Sequence, residues 1–340
     1  MRCRWILPFL VVAVPAFAEA ADVTVTKEKD TVSFKLGTET VAKYQYSGTV
    51  RVEKGEGTKP LAKPFLWPVL APNGVPVTRA WPMDRGGPDK TDHFHQKSVW
   101  FCHGDVIPEG IDLKGKHAVD FWSEAAGHGR IVCTEISVQR TNNPQSGSVT
   151  SHNEWRTADG TNILVEERTI AFREVAGGRL FTFECKLTAS VCPITFGDTK
   201  EGSLGVRVND AMRTEIATGG TVTAADGTTA KAPMKDNLPM WGQFSNWHDY
   251  SGTVDGKHAG IAIFNHPKNP TPAAWHTRAY GLMASNPFGR AKSGFPALKG
   301  NTDLVKIEKG KSLTYQFAIY VHDGDVKAGK VAEAYEAFKK

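Results

Sequence analysis

Val23-Thr24-Val25, Val32-Ser33-Phe34 and Ala42-Lys43-Tyr44-Gln45-Tyr46 read in period two. Alternation at that period places one set of side chains on a sheet face and the other toward solvent. Similar short segments recur at Gly129–Arg140, Ile163–Glu174, Leu180–Ser190, Gly202–Asn209 and Ala259–Phe264, separated by Gly, Asn, Asp and Pro clusters that supply turns. Helix signals are confined to Lys330–Lys340, where Ala, Glu, Tyr and Phe are spaced for one short terminal helix. A sheet with one apolar face must bury it against another layer. The expected fold is therefore all-β, a large sandwich of two packed antiparallel sheets. The Gly/Thr/Ala-rich stretch Thr218–Ala230 reads as a surface hairpin or insertion, and no interior domain boundary is visible.

The chain opens with Arg2 and Arg4, an apolar run from Trp5 to Val14, and Ala16-Phe17-Ala18, a small-x-small pattern suited to signal-peptidase cleavage after Ala18. The run is shorter than the ~20 residues that cross a hydrocarbon core, and Pro8 and Pro15 interrupt it, so a signal peptide is expected rather than an anchor. No later stretch reads as a stable membrane span. The expected product is residues 19–340, a single β-sandwich domain in a periplasmic or extracellular space. The full-chain charge of +5 falls to +3 without Arg2 and Arg4. Basic residues are interspersed with acids and form no run alternating with aromatics, which argues against a nucleic-acid partner. Cys102, Cys133, Cys185 and Cys192 remain after cleavage. Four cysteines in so long a chain are not a disulfide scaffold and none forms a CxxC pair, so they read as mostly buried small residues, with Cys185 and Cys192 the pair most easily bridged.

Candidate chemistry concentrates where His, Trp and Asn cluster. In Thr91–Asp105, strand alternation would place His93 and His95 on one face, where two imidazoles can share a proton, grip sugar hydroxyls or bind a divalent metal ion. His103 follows as a possible substrate contact, whereas His117, His128, His152, His258 and His322 read as surface or core-edge residues. A second cluster begins at Asn265 and His266, passes through a proline-rich loop, and reaches His276, Arg278 and Tyr280, which alternate onto one strand face. Such a polar row is costly to bury unpaired, so it lines a cleft or joins an ion-pair network. Glu201 is the candidate general base to a histidine acid, and Arg207 lies near it in sequence. Trp247 offers a face for stacking on a pyranose.

The motifs Lys59-Pro60, Lys63-Pro64-Phe65 with Trp67-Pro68, Asp92–Asp105, Val119-Asp120-Phe121-Trp122, Gly197–Val208, Trp241–Gly252, Asn265–Pro270 and Trp275–Gly289 cover nearly the whole mature chain. Together they resemble a family of bacterial secreted proteins carrying the label "methane oxygenase PmoA". Members of that family often have two adjacent histidines where this chain has His95-Gln96. The label is not an activity to carry over, since a methane-oxidising membrane enzyme needs spanning helices. The resemblance implies a galactose-mutarotase-like supersandwich, whose clefts handle sugars through histidine, arginine and a carboxylate.

Three functions follow as expectations. The first is a carbohydrate-active hydrolase or lyase acting on a glycoside or an oxidised (keto or uronic) sugar, with His93, His95, Glu201 and His276 catalytic and Arg207, Arg278, Tyr280, Trp247, Asn265, His266 and His103 binding substrate. A glycosidase ordinarily needs two suitably separated carboxylates. Asp92, Asp105, Asp120 and Glu201 supply candidates, but no pair stands out. The second is a non-catalytic glycan-binding or envelope structural protein, and the third a sugar mutarotase or epimerase. A divalent ion on His93 and His95, with His276 or Glu201 as third ligand, is the only cofactor the residues suggest.

Overall fold

The alternation of the first segments becomes an antiparallel meander in which Val25 faces Phe34 and Phe34 faces Ala42. In the computed structural model, which describes residues 21–140, 143–235 and 238–340, this meander begins an eight-stranded antiparallel sheet. Its order is Val23–Lys27, Thr31–Leu36, Glu39–Gln45, Phe65–Val69, Val99–His103, Gly202–Arg207, Leu282–Asn286 and Ala274–Trp275. A nine-stranded sheet packs against it. It runs Thr229–Lys231, Thr221–Ala224, Trp247–Val254, Lys257–Asn265, Ser312–Asp323, Gly178–Thr188, Asn162–Val175, Ser146–Arg156 and Arg130–Arg140. The fold is an all-β antiparallel sandwich. The signal-peptide reading of residues 1–18 lies outside the described residues.

Rings from the two inner faces meet edge to face. Phe34 lies 5.6 Å from Phe181, and Phe101 lies 6.2 Å from Trp155. One contiguous apolar core fills the space between the sheets. Within it Trp155 donates to Glu166, which is paired with the buried guanidinium of Arg168, so that polar group enters the core satisfied.

The strand Ser312–Asp323 lies at the centre of the second sheet and is covered on both sides. Tyr315, Phe317, Ile319 and Val321 face the core, whereas Ala318 and Tyr320 pack under the helix Val331–Phe338 with Trp247, Phe264 and Tyr335. The helix falls within the predicted Lys330–Lys340 segment. Thr218–Ala230 contributes a hairpin, but one that forms the edge of the nine-stranded sheet. Cys102, Cys133, Cys185 and Cys192 are all free, with Cys102, Cys185 and Cys192 buried as small residues and no bridge between Cys185 and Cys192.

Candidate functional site

His93 and His95 do not lie on a strand. They belong to a turn that precedes Val99–His103, and His93 takes the left-handed backbone at φ 43°. A buried arginine holds this turn. Arg79 donates to the carbonyls of His93 and Gln96, 3.1 and 3.3 Å away, and to Asp92 at 2.6 Å. Arg207, also fully buried, donates to the same Asp92 oxygen at 3.0 Å and to the Gln96 side chain at 2.8 Å. Burial alone would raise the Asp92 carboxyl, but His93 and the two guanidiniums hold it well below the usual carboxylate range. Asp92 then faces His93 Nδ1 at 3.3 Å and orients the ring.

The His93 imidazole lies flat on Tyr280, 4.9 Å between centroids and 8° between planes, and meets the His95 ring edge-on at 5.9 Å. Beneath Tyr280 the Arg207 guanidinium sits 4.7 Å from the ring centre. Leu204 pairs with Phe101, which faces the second sheet, so Arg207, three residues along the strand, points to the opposite face. The cluster is therefore built on the side of the eight-stranded sheet away from the core.

His276 continues the hairpin beyond Ala274–Trp275 by exchanging backbone hydrogen bonds with Ala284. This returns Arg278 and Tyr280 to the same side as His276. The His276 ring is buried; its Nδ1 donates to the Lys200 carbonyl at 3.1 Å and lies 3.9 Å from Glu201 Oε2. Burial, reinforced by the charges of Arg278 and Lys200, pulls this imidazole down to about 3, so it is neutral near pH 7. His95 is likewise pulled down to about 3 by burial and by Lys63. Glu201 differs. Its side chain remains 31% exposed, and burial of the rest raises its pKa despite the opposing charges of Lys200, His93 and Arg278.

His93, His95, Glu201, His276, Arg278 and Tyr280 thus come together. Five other expectations do not hold. Arg207 has no access to a ligand because Gln96, Asp92 and Tyr280 surround it. His103 is sealed between Phe196 and Phe288, with Nε2 against the Gly197 carbonyl. Trp247 packs under the helix. Asn265 and His266 pin a turn elsewhere, where Asn265 accepts from Asn269 and His266 accepts from the Lys268 backbone. The metal reading also fails on donor geometry, since among the described residues no three His, Cys, Asp or Glu side chains are arranged to hold an ion. Sequence reading missed Arg79 and Gln96. Both are buried polar residues whose partners lie on other segments, and no local pattern marks them.

Residues 31–336 match the profile of a family of unknown function, DUF6807. The chain belongs to DUF6807. That assignment corrects the PmoA resemblance, because the family that matches is one of unknown function. This DUF6807 member is a β-sandwich with no helix among its described residues long and apolar enough to cross a membrane. No curated protein matches it in sequence. Among solved structures it is similar to the family 36 α-galactosidase AgaA from Geobacillus stearothermophilus, at 9% identity and a TM-score of 0.41 over 90% of this chain and 41% of that one. It is also similar to galactose 1-epimerase from Lactobacillus acidophilus NCFM, at 8% identity and a TM-score of 0.38 over 90% of this chain and 99% of that one. The DUF6807 chain therefore spans well under half of the α-galactosidase.

Proposed function

We propose that this DUF6807 protein is a carbohydrate-active enzyme that interconverts forms of a sugar by proton transfer, as a mutarotase or epimerase does. The observation that supports this reading is the pairing of one available carboxylate with an oriented imidazole. Glu201 is partly exposed and has a raised pKa, and His93 is fixed by Asp92 and Tyr280. A hydrolase working through two carboxylates fits less well. Asp92 is consumed by Arg79 and Arg207, and Asp120 accepts from the backbone N–H groups of Trp122 and Ser123.

In this reading Glu201 takes the proton of the anomeric hydroxyl while His93 gives one to the ring oxygen. The bond between the anomeric carbon and ring oxygen breaks, and the anomeric C–O becomes a carbonyl. Rotation and reclosure with the transfers reversed restore both groups and yield the other anomer. His276 is a positioning residue that holds the Lys200–Glu201 backbone.

The test is polarimetry of freshly dissolved α-galactose and α-glucose beside a reducing-end assay on nitrophenyl glycosides. The expected result is faster relaxation of optical rotation without new reducing ends, slowed at least about 10²-fold in Glu201→Gln. Release of reducing ends with unaccelerated rotation would overturn the reading in favour of a hydrolase. A sugar that binds but is never transformed would favour a binding protein.

A further inference from the structure

Next to His95 lies a group of charges that proton transfer does not use. The Glu124 carboxylate, 3% exposed, receives three ammonium groups. Lys97 is closest, Lys63 approaches to 3.2 Å and Lys59 to 3.5 Å. Lys63 also donates to the Trp122 carbonyl at 2.7 Å, and Lys59 and Lys97 both lie over the Phe94 ring, at 4.7 and 4.4 Å. Lys63 and Lys97 are fully buried, whereas Lys59 is 31% exposed at the margin. Three cations thus share one anion.

Burying an ammonium is costly unless an opposite charge offsets it. One carboxylate cannot offset three. Burial, opposed by Glu124 and reinforced by Lys63, brings Lys97 down to about 8. The opposite holds for Glu124: burial would raise it, yet Lys97 and Lys63 hold it at about 2. A fold seeking stability alone would place an apolar group at one of these positions. His95 connects this cluster to the site, because its ring meets His93 and is lowered, after burial, by Lys63.

We propose that Lys59, Lys63 and Lys97 form an anion subsite that takes an acidic substituent, carboxylate or phosphate, of the sugar whose ring lies at His93 and Glu201. This rests on the sugar-converting reading and narrows its substrate to acidic sugars. Lys59 contacts the substituent at the open margin, and the two buried ammoniums supply a field that Glu124 only partly cancels.

The test is calorimetric binding of galacturonate, galactose and galactose 6-phosphate to the full chain at low and high salt, alongside polarimetry. The acidic sugars should bind at least about tenfold more tightly than galactose, with the preference shrinking in high salt. The tighter of galacturonate and galactose 6-phosphate identifies the substituent. Lys59→Gln, a change at a partly exposed position, should reduce the preference, and Lys59→Arg should retain it. Equal affinity for neutral and acidic sugars, or a preference unaltered in Lys59→Gln, overturns the subsite even if anomers interconvert. Acidic sugars that bind through Lys59 without any change of optical rotation leave the subsite standing and remove the sugar-converting reading.

Discussion

Glu201 and His276 sit side by side, but burial acts on them in opposite senses. Burial raises the Glu201 carboxyl, so its protonated form is favoured in the folded chain. The stability that Glu201 itself contributes is fully present below the ordinary carboxylate range and is lost as pH rises through its raised value. Glu201→Gln removes that loss. Its melting temperature should match the parent's at acid pH and exceed it at neutral pH, and a constant offset across the range would contradict the assignment. His276, in contrast, is neutral and bonded to the Lys200 carbonyl, so His276→Ala removes a buried partner. We expect destabilisation of about 1–3 kcal/mol by denaturant titration together with reduced turnover. Loss of turnover with unchanged stability would instead make His276 a direct proton carrier. The identities of His93, Glu201 and His276 were legible in the sequence because imidazoles and carboxylates stand out in polar runs. Their supports were not, since Arg79 and Arg207 meet Asp92 only after distant segments fold together.

Among the elements, the strand Gly202–Arg207 connects core and site. It contacts Val99–His103 on one side and Leu282–Asn286 on the other, and its first residue follows Glu201 directly. Gly202 has no room for a side chain: a β-carbon there would lie 2.4 Å from His103 Nδ1 and 3.3 Å from the Asn286 side chain. Gly202→Ala should therefore push the strand start away from His103 and shift Glu201. We expect destabilisation of about 1–3 kcal/mol and a loss of activity comparable to that of Glu201→Gln. Wild-type activity in a folded Gly202→Ala protein would show that the site tolerates movement of this strand. Period-two alternation revealed the meander and the segments at Gly129–Arg140, Ile163–Glu174, Leu180–Ser190, Gly202–Asn209 and Ala259–Phe264, but other strands escaped it for physical reasons. Ser146–Arg156 places Ser151 and Asn153 in the interior, where Ser151 pairs with Tyr44 and receives Asn153, so its apolar face is disguised. Ser312–Asp323 is apolar on both sides because a helix covers its outer face. The turn at His93 resembles a strand in its spacing and is fixed instead by Arg79.

For the whole molecule, we propose export with removal of the first residues, motivated by the Arg2, Arg4 and Ala16-Phe17-Ala18 pattern. Mass analysis of secreted material should find a mature start at or within a few residues of Glu19, and intact Met1 would refute it. Cys102, Cys133, Cys185 and Cys192 are free, so the sandwich as folded contains no bridge among them.

The position of Ser312–Asp323 between Gly178–Thr188 and Lys257–Asn265 sets the order in which the protein can be made. Until that strand emerges from the ribosome, its two neighbours have no partner between them, and the nine-stranded sheet stays split into halves. Chains shorter than this leave the edges of both halves unpaired, and under the proposed export such late completion would suit a polypeptide that must cross a membrane before folding. A chain stopped before Ser312 should be digested by protease at every stage of synthesis, and a protease-resistant fragment of that length would show that the halves can close alone.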